Sequence, residues 1–407
     1  MFARQSWVLV HRWAGLTLAL FLTIAGLTGA ALAWNDTIEA WTAPRLVLAR
    51  PAASGATMRD PVSLTIAAQA RHPGMMVSFV PLTVEPGHAL RLRVAWDDPG
   101  HAPDWDELFI DPWSGHELGH RRWGDPGQGI NNLMPFLYRL HYSLLLGSWG
   151  ERVMGLAALV WTLDCVVGFA LTLPLRRRPD APAPRAWLSR WRPAWAVRWH
   201  ASPAKRNFDL HRAGGLWIWP ALMVFAVSSV SLNLPQVYGP ALRALGGRDP
   251  NAVLAAMALP APRPHPALDF AAARARGRIL AREADPALMP QGAAWLWYVP
   301  GAGAYVYGFT TRADIADAGG ASRLVFDGDS GRLRAVALAR DAPAANRLTD
   351  WIVALHMARV CGPVWRIMVS VIGAAVTLLS VTGLIIWYKK RAARIARRRR
   401  FPNLSAS

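Results

Sequence analysis

Four of the eleven histidines in this 407-residue chain fall at the mouths of long apolar runs, and they form two matched pairs. His11 and His211 each open such a run inside a repeated phrase, HRWAGL at 11–16 and HRAGGL at 211–216. His141 and His356 each follow a leucine and precede a second repeated phrase, Arg152-Val153-Met154 in one copy and Arg366-Ile367-Met368 in the other. The other seven, His72, His88, His101, His116, His120, His200 and His265, sit in expected loops or soluble stretches. An ionisable side chain at membrane depth is costly, so it faces a partner, a cavity or a metal. One such histidine alone reads as a hydrogen-bonded structural residue. Two facing pairs at two depths are the layout for two bis-imidazole irons. Each neutral imidazole would give one nitrogen to an axial position of a b-type haem, and with both positions filled by protein such a group moves electrons and does not bind oxygen. His11, His141, His211 and His356 are therefore the expected iron ligands of two b-type haems, with His11 facing His211 and His141 facing His356.

Haem propionates need cations. Arg12 and Arg212 directly follow two of the histidines, and Arg139, Arg152, Arg359 and Arg366 lie near the other two. Each reads equally as an interfacial arginine with a buried stem. Zinc or copper held without a porphyrin would need ligands gathered at one site, whereas these four divide between two faces. Asp164, deep in the second apolar run, could serve proton movement or accept a hydrogen bond from a neighbouring helix. No side chain stands out as a catalyst of bond-making chemistry, and no flavin or nicotinamide site is visible. Two cysteines, Cys165 and Cys361, cannot build a disulfide framework or hold an iron–sulfur cluster, and without a CxxCH no c-type haem is attached.

The elements that must position these residues are apolar helices. A hydrocarbon core of roughly 30 Å needs about 20 helical residues, and four runs are long enough: Trp7 to Trp34, Glu151 to Leu175, Leu210 to Leu234 and Val364 to Tyr388. The first could instead be a cleaved signal peptide, since Ala31-Leu32-Ala33 gives an A-x-A pattern. With 53% hydrophobic residues, the chain is too apolar for an ordinary soluble enzyme and too polar to lie wholly in lipid. Its net charge of +19 is concentrated in two segments, nine basic residues against one acid over 176–207 and eight with no acid over 389–400. Each follows an apolar run, which is the positive-inside pattern and argues against nucleic acid. Both termini are accordingly expected in the cytoplasm of a bacterial-type cell, in an inner-membrane protein. The tryptophans of Trp187 to Trp199 fit interfacial anchoring of the cytoplasmic loop.

The expected fold is an α-helical membrane protein with four transmembrane helices from an internal duplication and two exported α+β domains. The division runs 1–35 (first span), 36–135 (exported), 136–175 (second span), 176–207 (basic loop), 208–235 (third span), 236–350 (exported), 351–388 (fourth span) and 389–407 (basic tail). Each exported stretch reads as one helix and three strands: Pro61 to Arg71 with Met76 to Pro81, Leu90 to Trp96 and Glu107 to Pro112, then Leu268 to Glu283 with Ala294 to Val299, Ala304 to Phe309 and Arg323 to Asp327. Both end alike, in Asp111-Pro112-Trp113-Ser114-Gly115 and Asp327-Gly328-Asp329-Ser330-Gly331. A continuous helix from His141 to Leu175 would be about 50 Å long. Bends are therefore expected at Gly147-Ser148-Trp149-Gly150 and Cys361-Gly362-Pro363, which would leave the histidines on short helices.

The HRWAGL and LHYSLLLGSWG segments, their second copies DLHRAGGLW and ALHMARVCGPVW, and the DxxSG strand ends resemble the PepSY-associated transmembrane family along nearly the whole chain. That resemblance implies PepSY-like exported domains, an iron-regulated inner-membrane protein and a dihaem reductase of periplasmic ferric siderophores. It places His11, His141, His211 and His356 at the family's haem-ligand positions. The third helix departs from the commonest pattern, with Ser228-Ser229 where a Thr-Gly is frequent, and no flavodoxin-like or ferredoxin-reductase-like domain follows Tyr388. The implied donor is a quinol or a separate cytoplasmic flavoprotein, the implied acceptor a ferric chelate, and a homo-oligomer is compatible with the sequence. Two readings of other classes stand beside it. One is a membrane-anchored binding or regulatory module without redox activity; the other is a transporter, where repeats are common.

Overall fold

The computed structural model describes residues 4–51, 55–98, 100, 102–174, 186–249, 252–284, 292–317 and 319–400. Residues 176–185 of the expected basic loop, 401–407 of the tail, and His101 lie outside the described residues. The chain folds as two compact units, one of Met1–Ala33, Arg139–Tyr238 and Pro363–Ser407, the other of Trp34–Tyr138 and Gly239–Gly362.

The first unit is helical. Its main elements are α1 (Arg4–Leu32), α5 (Gly147–Thr172), α6 (Pro203–Trp217), α7 (Trp219–Asn233) and α10 (Gly362–Arg400). Between them in chain order come α2 (Asn35–Thr42), α3 (Pro61–Arg71), α4 (Leu133–Ser143), α8 (Phe270–Ala284) and α9 (Ala344–His356). Helices α1, α5 and α10 are long and apolar enough to cross a membrane. The third expected run is broken: α6 and α7 meet at Ile218 with a 68° bend, and count as a fourth span only if the bent pair is one. Pro220 sits at the second position of α7, where it lacks the N–H and crowds the preceding turn, so the helix cannot run straight through. The apolar core of the unit gathers Cys165, Leu222, Ile372 and Val376.

Close approach rather than apolar burial alone holds these helices, as expected where lipid competes for every apolar surface. A Cβ on Gly26 would lie 2.6 Å from the carbonyl oxygen of Gly373, and one on Gly373 would lie 2.4 Å from that of Gly26. Ser370 adds a hydrogen bond from Oγ to the Ala30 carbonyl at 3.2 Å.

The expected bends are present. Leu144, Leu145 and Gly147 adopt positive φ between α4 and α5, and Ala358, Cys361 and Gly362 do so between α9 and α10. Left-handed backbone costs a non-glycine residue about 1–2 kcal/mol, so these breaks are imposed by packing. His141 and His356 consequently lie near or at the ends of short helices, with His356 the last residue of α9.

The second unit carries one eight-stranded antiparallel sheet, in the order β4-β3-β2-β1-β5-β6-β7-β8. Its strands are β1 (Met75–Pro81), β2 (Leu90–Trp96), β3 (Glu107–Ile110), β4 (Glu117–Arg121), β5 (Gly292–Val299), β6 (Ala304–Thr310), β7 (Ser322–Asp327) and β8 (Leu333–Ala337). The two expected domains are thus halves of one sheet, joined where β1 pairs with β5 through Phe79 opposite Trp297 and Pro81 opposite Trp295. Helices α3 and α8 share a single core beneath it, with Val62, Leu64 and Ala68 from one and Ala273, Leu280 and Ala281 from the other. An Arg274–Asp60 ion pair ties the two halves.

Each half has a fourth strand beyond the expected three, formed by the hairpin after its DxxSG turn. Ser114 Oγ donates to Asp111 Oδ2 at 2.6 Å and Ser330 Oγ to Asp327 Oδ1 at 2.8 Å, with Gly115 and Gly331 at positive φ. The repeated motif is therefore a turn device. In the first half the hairpin also carries a buried charge network, in which Arg121 donates to Glu107 at 2.7 Å and to Glu39 of α2 at 2.6 Å.

Two outcomes follow. Gly373→Leu should lower the thermal stability of the detergent-solubilised protein by more than the about 1–3 kcal/mol of ordinary overpacking, because backbone must move; Gly215→Ala, which lies inside a helix and meets nothing within 4 Å, should not lower it. Arg121→Ala removes the buried guanidinium that Glu39 and Glu107 share, leaving them only the more exposed Arg91 and Arg93, and should cost about 3 kcal/mol in denaturant unfolding.

Candidate functional site

Helices α1 and α6 each carry a histidine towards the other, and the rings of His11 and His211 lie with centres 6.2 Å apart and planes at 54°. Both are half-buried in the helical unit. Two imidazoles on opposite sides of one iron put their ring centres about 6.2 Å apart, given about 2.0 Å for each metal–nitrogen bond and about 1.1 Å from nitrogen to ring centre. The observed spacing fits that arrangement.

Each ring is seated in the same way. His11 Cε1 lies 3.3 Å from where a Cβ of Gly168 on α5 would be, and His211 Cε1 lies 3.3 Å from that of Gly383 on α10. His141 repeats the pattern on α1, with Cε1 3.1 Å from a Cβ at Gly29. A side chain at any of these glycines would displace the ring.

The Nδ1 atoms also share a pattern. His11 Nδ1 faces both oxygens of Asp164, at 2.9 and 3.1 Å. His211 Nδ1 faces the Leu379 carbonyl and Thr382 Oγ1, both at 3.1 Å. His141 Nδ1 faces Thr28 Oγ1 at 2.9 Å. Thr28 already donates its hydroxyl proton to the Ile24 carbonyl, and Thr382 donates to that of Leu378, so each accepts from the ring. Carboxylate and carbonyl oxygens can only accept. In all three imidazoles, then, Nδ1 carries the proton and Nε2 the lone pair. That is the tautomer a metal-binding histidine adopts when its other nitrogen is held by an outer partner.

Among the described residues no three His, Cys, Asp or Glu side chains gather as an ion site. Paired imidazoles with shared tautomer suit a group that brings its own equatorial ligands, and the donor set fits a b-type haem.

The arginines divide. Arg212 Nη2 donates to Asp209 Oδ1 at 3.0 Å and to the Pro193 carbonyl at 2.7 Å, so its guanidinium braces the segment before α6. Arg198 joins the fully buried Asp209 through two bonds, at 2.7 and 2.9 Å. Arg12 makes no hydrogen bond or ion pair among the described residues, which leaves it available to an anion. Arg152 lies over the Trp149 ring at 5.3 Å, the Arg366 carbonyl accepts from Ser370, and the Arg359 carbonyl accepts from Asp317. Arg139 also has polar partners. The residues that sequence reasoning missed are Thr28, Gly29, Gly168, Leu379, Thr382 and Gly383. A signal for some of them exists: Asp164 precedes Gly168 by one helical turn as Leu379 precedes Gly383, in corresponding places of the two copies.

Long apolar helices bearing seated histidines, together with a sheet unit built of two like halves, define a membrane protein assembled from a repeated helix–sheet–helix unit. Over residues 8–390 the sequence matches the PepSY-associated TM region, and the chain belongs to that family. No curated protein matches it.

Asp209→Ala should free Arg198 and Arg212 together and loosen the segment ahead of α6. Tryptic cleavage after Arg198 should then quicken by at least about tenfold, the factor that corresponds to 1.4 kcal/mol of lost protection.

Proposed function

We propose that this chain is an inner-membrane electron carrier that holds two b-type haems and passes electrons from the cytoplasmic side, or from quinol, to an exported acceptor. The observation that carries the reading is the His11–His211 pair, with ring centres 6.2 Å apart and Nδ1 held by acceptors on both rings. A haem bound between them would supply a one-electron couple. The chain's own part is to fix both imidazoles in one tautomer, to shield the site with the apolar side chains of α5, α7 and α10, and to offer Arg12 to a propionate.

His141, seated on α1 with the same tautomer, is read as a ligand of a second haem. His356 joins it on the strength of its matching place in the second sequence copy. Along α1, His11 and the Thr28 that holds His141 are separated by about 26 Å at 1.5 Å per residue, so the first and second ligand levels would divide the membrane crossing between them. Taken together, α6 and α7 would be the fourth span, and the positive-inside pattern of the basic segments supports cytoplasmic termini. The sheet unit is then exported, where it would dock the acceptor. A ferric siderophore suits that role chemically, because reduction weakens the hold of hard oxygen ligands on iron. The reaction would make the chain a haem-dependent ferric-siderophore reductase.

The reduced-minus-oxidised visible spectrum and pyridine haemochrome of protein purified from haem-replete cells test the reading. Two b-type haems per chain are expected, low-spin when oxidised, with His11→Ala and His211→Ala removing one component and His141→Ala the other. A colourless protein overturns it and leaves a membrane-anchored binding module.

A further inference from the structure

The three seated imidazoles differ in one respect: only His11 has an anion behind it. Asp164 is 8% exposed, is next in sequence to Cys165 of the unit's apolar core, and sets both oxygens against Nδ1. The acceptors behind His211 are a backbone carbonyl and a hydroxyl, and those behind His141 are likewise the Thr28 hydroxyl and the Ala25 backbone, none of them charged. Four residues ahead of the glycine that seats the ring, the first copy has Asp164 and the second Leu379. Internal duplication thus kept the seat and changed its charge.

A buried carboxylate with no cation beside it is costly unless something positive is held nearby. No arginine or lysine pairs with Asp164 among the described residues. Its polar partner among the described residues is the His11 imidazole, whose other nitrogen is the proposed iron ligand. Hydrogen bonding to a carboxylate raises the ligand's basicity, and a nearby negative charge favours the more positive oxidation state.

We infer, resting on the dihaem reading, that Asp164 is a positioning residue that makes the His11–His211 site the lower-potential of the two, so that electrons run downhill to the site of His141. Each transfer moves one electron and no atom: the first site is oxidised as the second is reduced. The direction of flow is thereby written into one side chain, and a donor on the His11 side is favoured over one on the other.

Potentiometric titration of the purified holoprotein, followed in the visible spectrum, tests this with Asp164→Asn, whose amide oxygen can still accept from Nδ1 but carries no charge. Both haems should remain. The lower-potential component, identified as the one that His11→Ala removes, should rise by at least a tenfold shift in its equilibrium, about 59 mV for one electron. The other component should stay, and Asp164→Glu should return the first towards its original value. Thr28→Asp supplies the reciprocal measurement and decides the matter if the asparagine variant does not assemble, since it puts a carboxylate behind His141 and should lower that component. Two retained haems with unmoved potentials in these variants overturn the inference while leaving the dihaem reading intact. A colourless unmodified protein overturns both.

Discussion

A histidine among apolar helices must have both ring nitrogens accounted for. One nitrogen carries a proton that needs an acceptor, and the other carries a lone pair that has lost its water. Three histidines of the helical unit meet the first demand in the same way, by turning Nδ1 towards an oxygen supplied by a neighbouring helix. Much of the bundle's construction serves that contact. Glycines at 29, 168 and 383 let the rings lie against helix backbone, and threonines at 28 and 382 spend their hydroxyl protons on their own helices so that their lone pairs are free. The second demand is what the proposed chemistry rests on, because the tautomer leaves each Nε2 with its lone pair.

The contact also explains why the helices are interrupted. A histidine on a straight continuation of α5 would ride on the helix axis beyond the unit's apolar core. Ending α4 at Ser143 and reversing through Leu144 and Leu145 lets His141 turn back onto α1, at the expense of left-handed backbone in two leucines. A Cβ at Gly150 would lie 1.6 Å from the Ser143 carbonyl oxygen, so the reversal is tight enough to demand glycine there. The bend at Ile218 has a separate origin in Pro220 and leaves His211 on the helix ahead of the kink.

Much of this was legible in the sequence because the relevant signals are local or repeated. The apolar runs, the helix Pro61–Arg71 and the six central strands follow from residue type and period. The bends near Gly147 and Gly362 follow from helix length. What escaped is of two kinds. Strands β4 and β8 are sheet edges of five residues, the first polar (Glu117–Arg121) and the second mostly small and apolar (Leu333–Ala337), too short for a period to mark them, although the DxxSG turns that start their hairpins were visible. The union of the two halves depends on β1 meeting β5 across more than two hundred residues, and nothing local encodes that pairing. The same limit hid the acceptors of the histidines: Asp164 was visible as a buried acid, but Thr28 and Thr382 are ordinary helix residues until the neighbouring helix is in place. Asp209 was masked in a different way, since its value lies in gathering Arg198 and Arg212, and the arginine next to a histidine looked like an anion site.

The joining of β1 to β5 also bears on how such a chain can exist at all. In a single repeat each of these strands would be the outer edge of a four-stranded sheet, with seven or eight residues of apolar and aromatic sequence offering unsatisfied amides to any other extended chain. Fused in one polypeptide, the two edges consume each other, and the exposed margins pass to β4 and β8, which are shorter and interspersed with charge. Duplication here doubles as protection against aggregation, which ties the two copies together even where their histidine seats have been free to diverge.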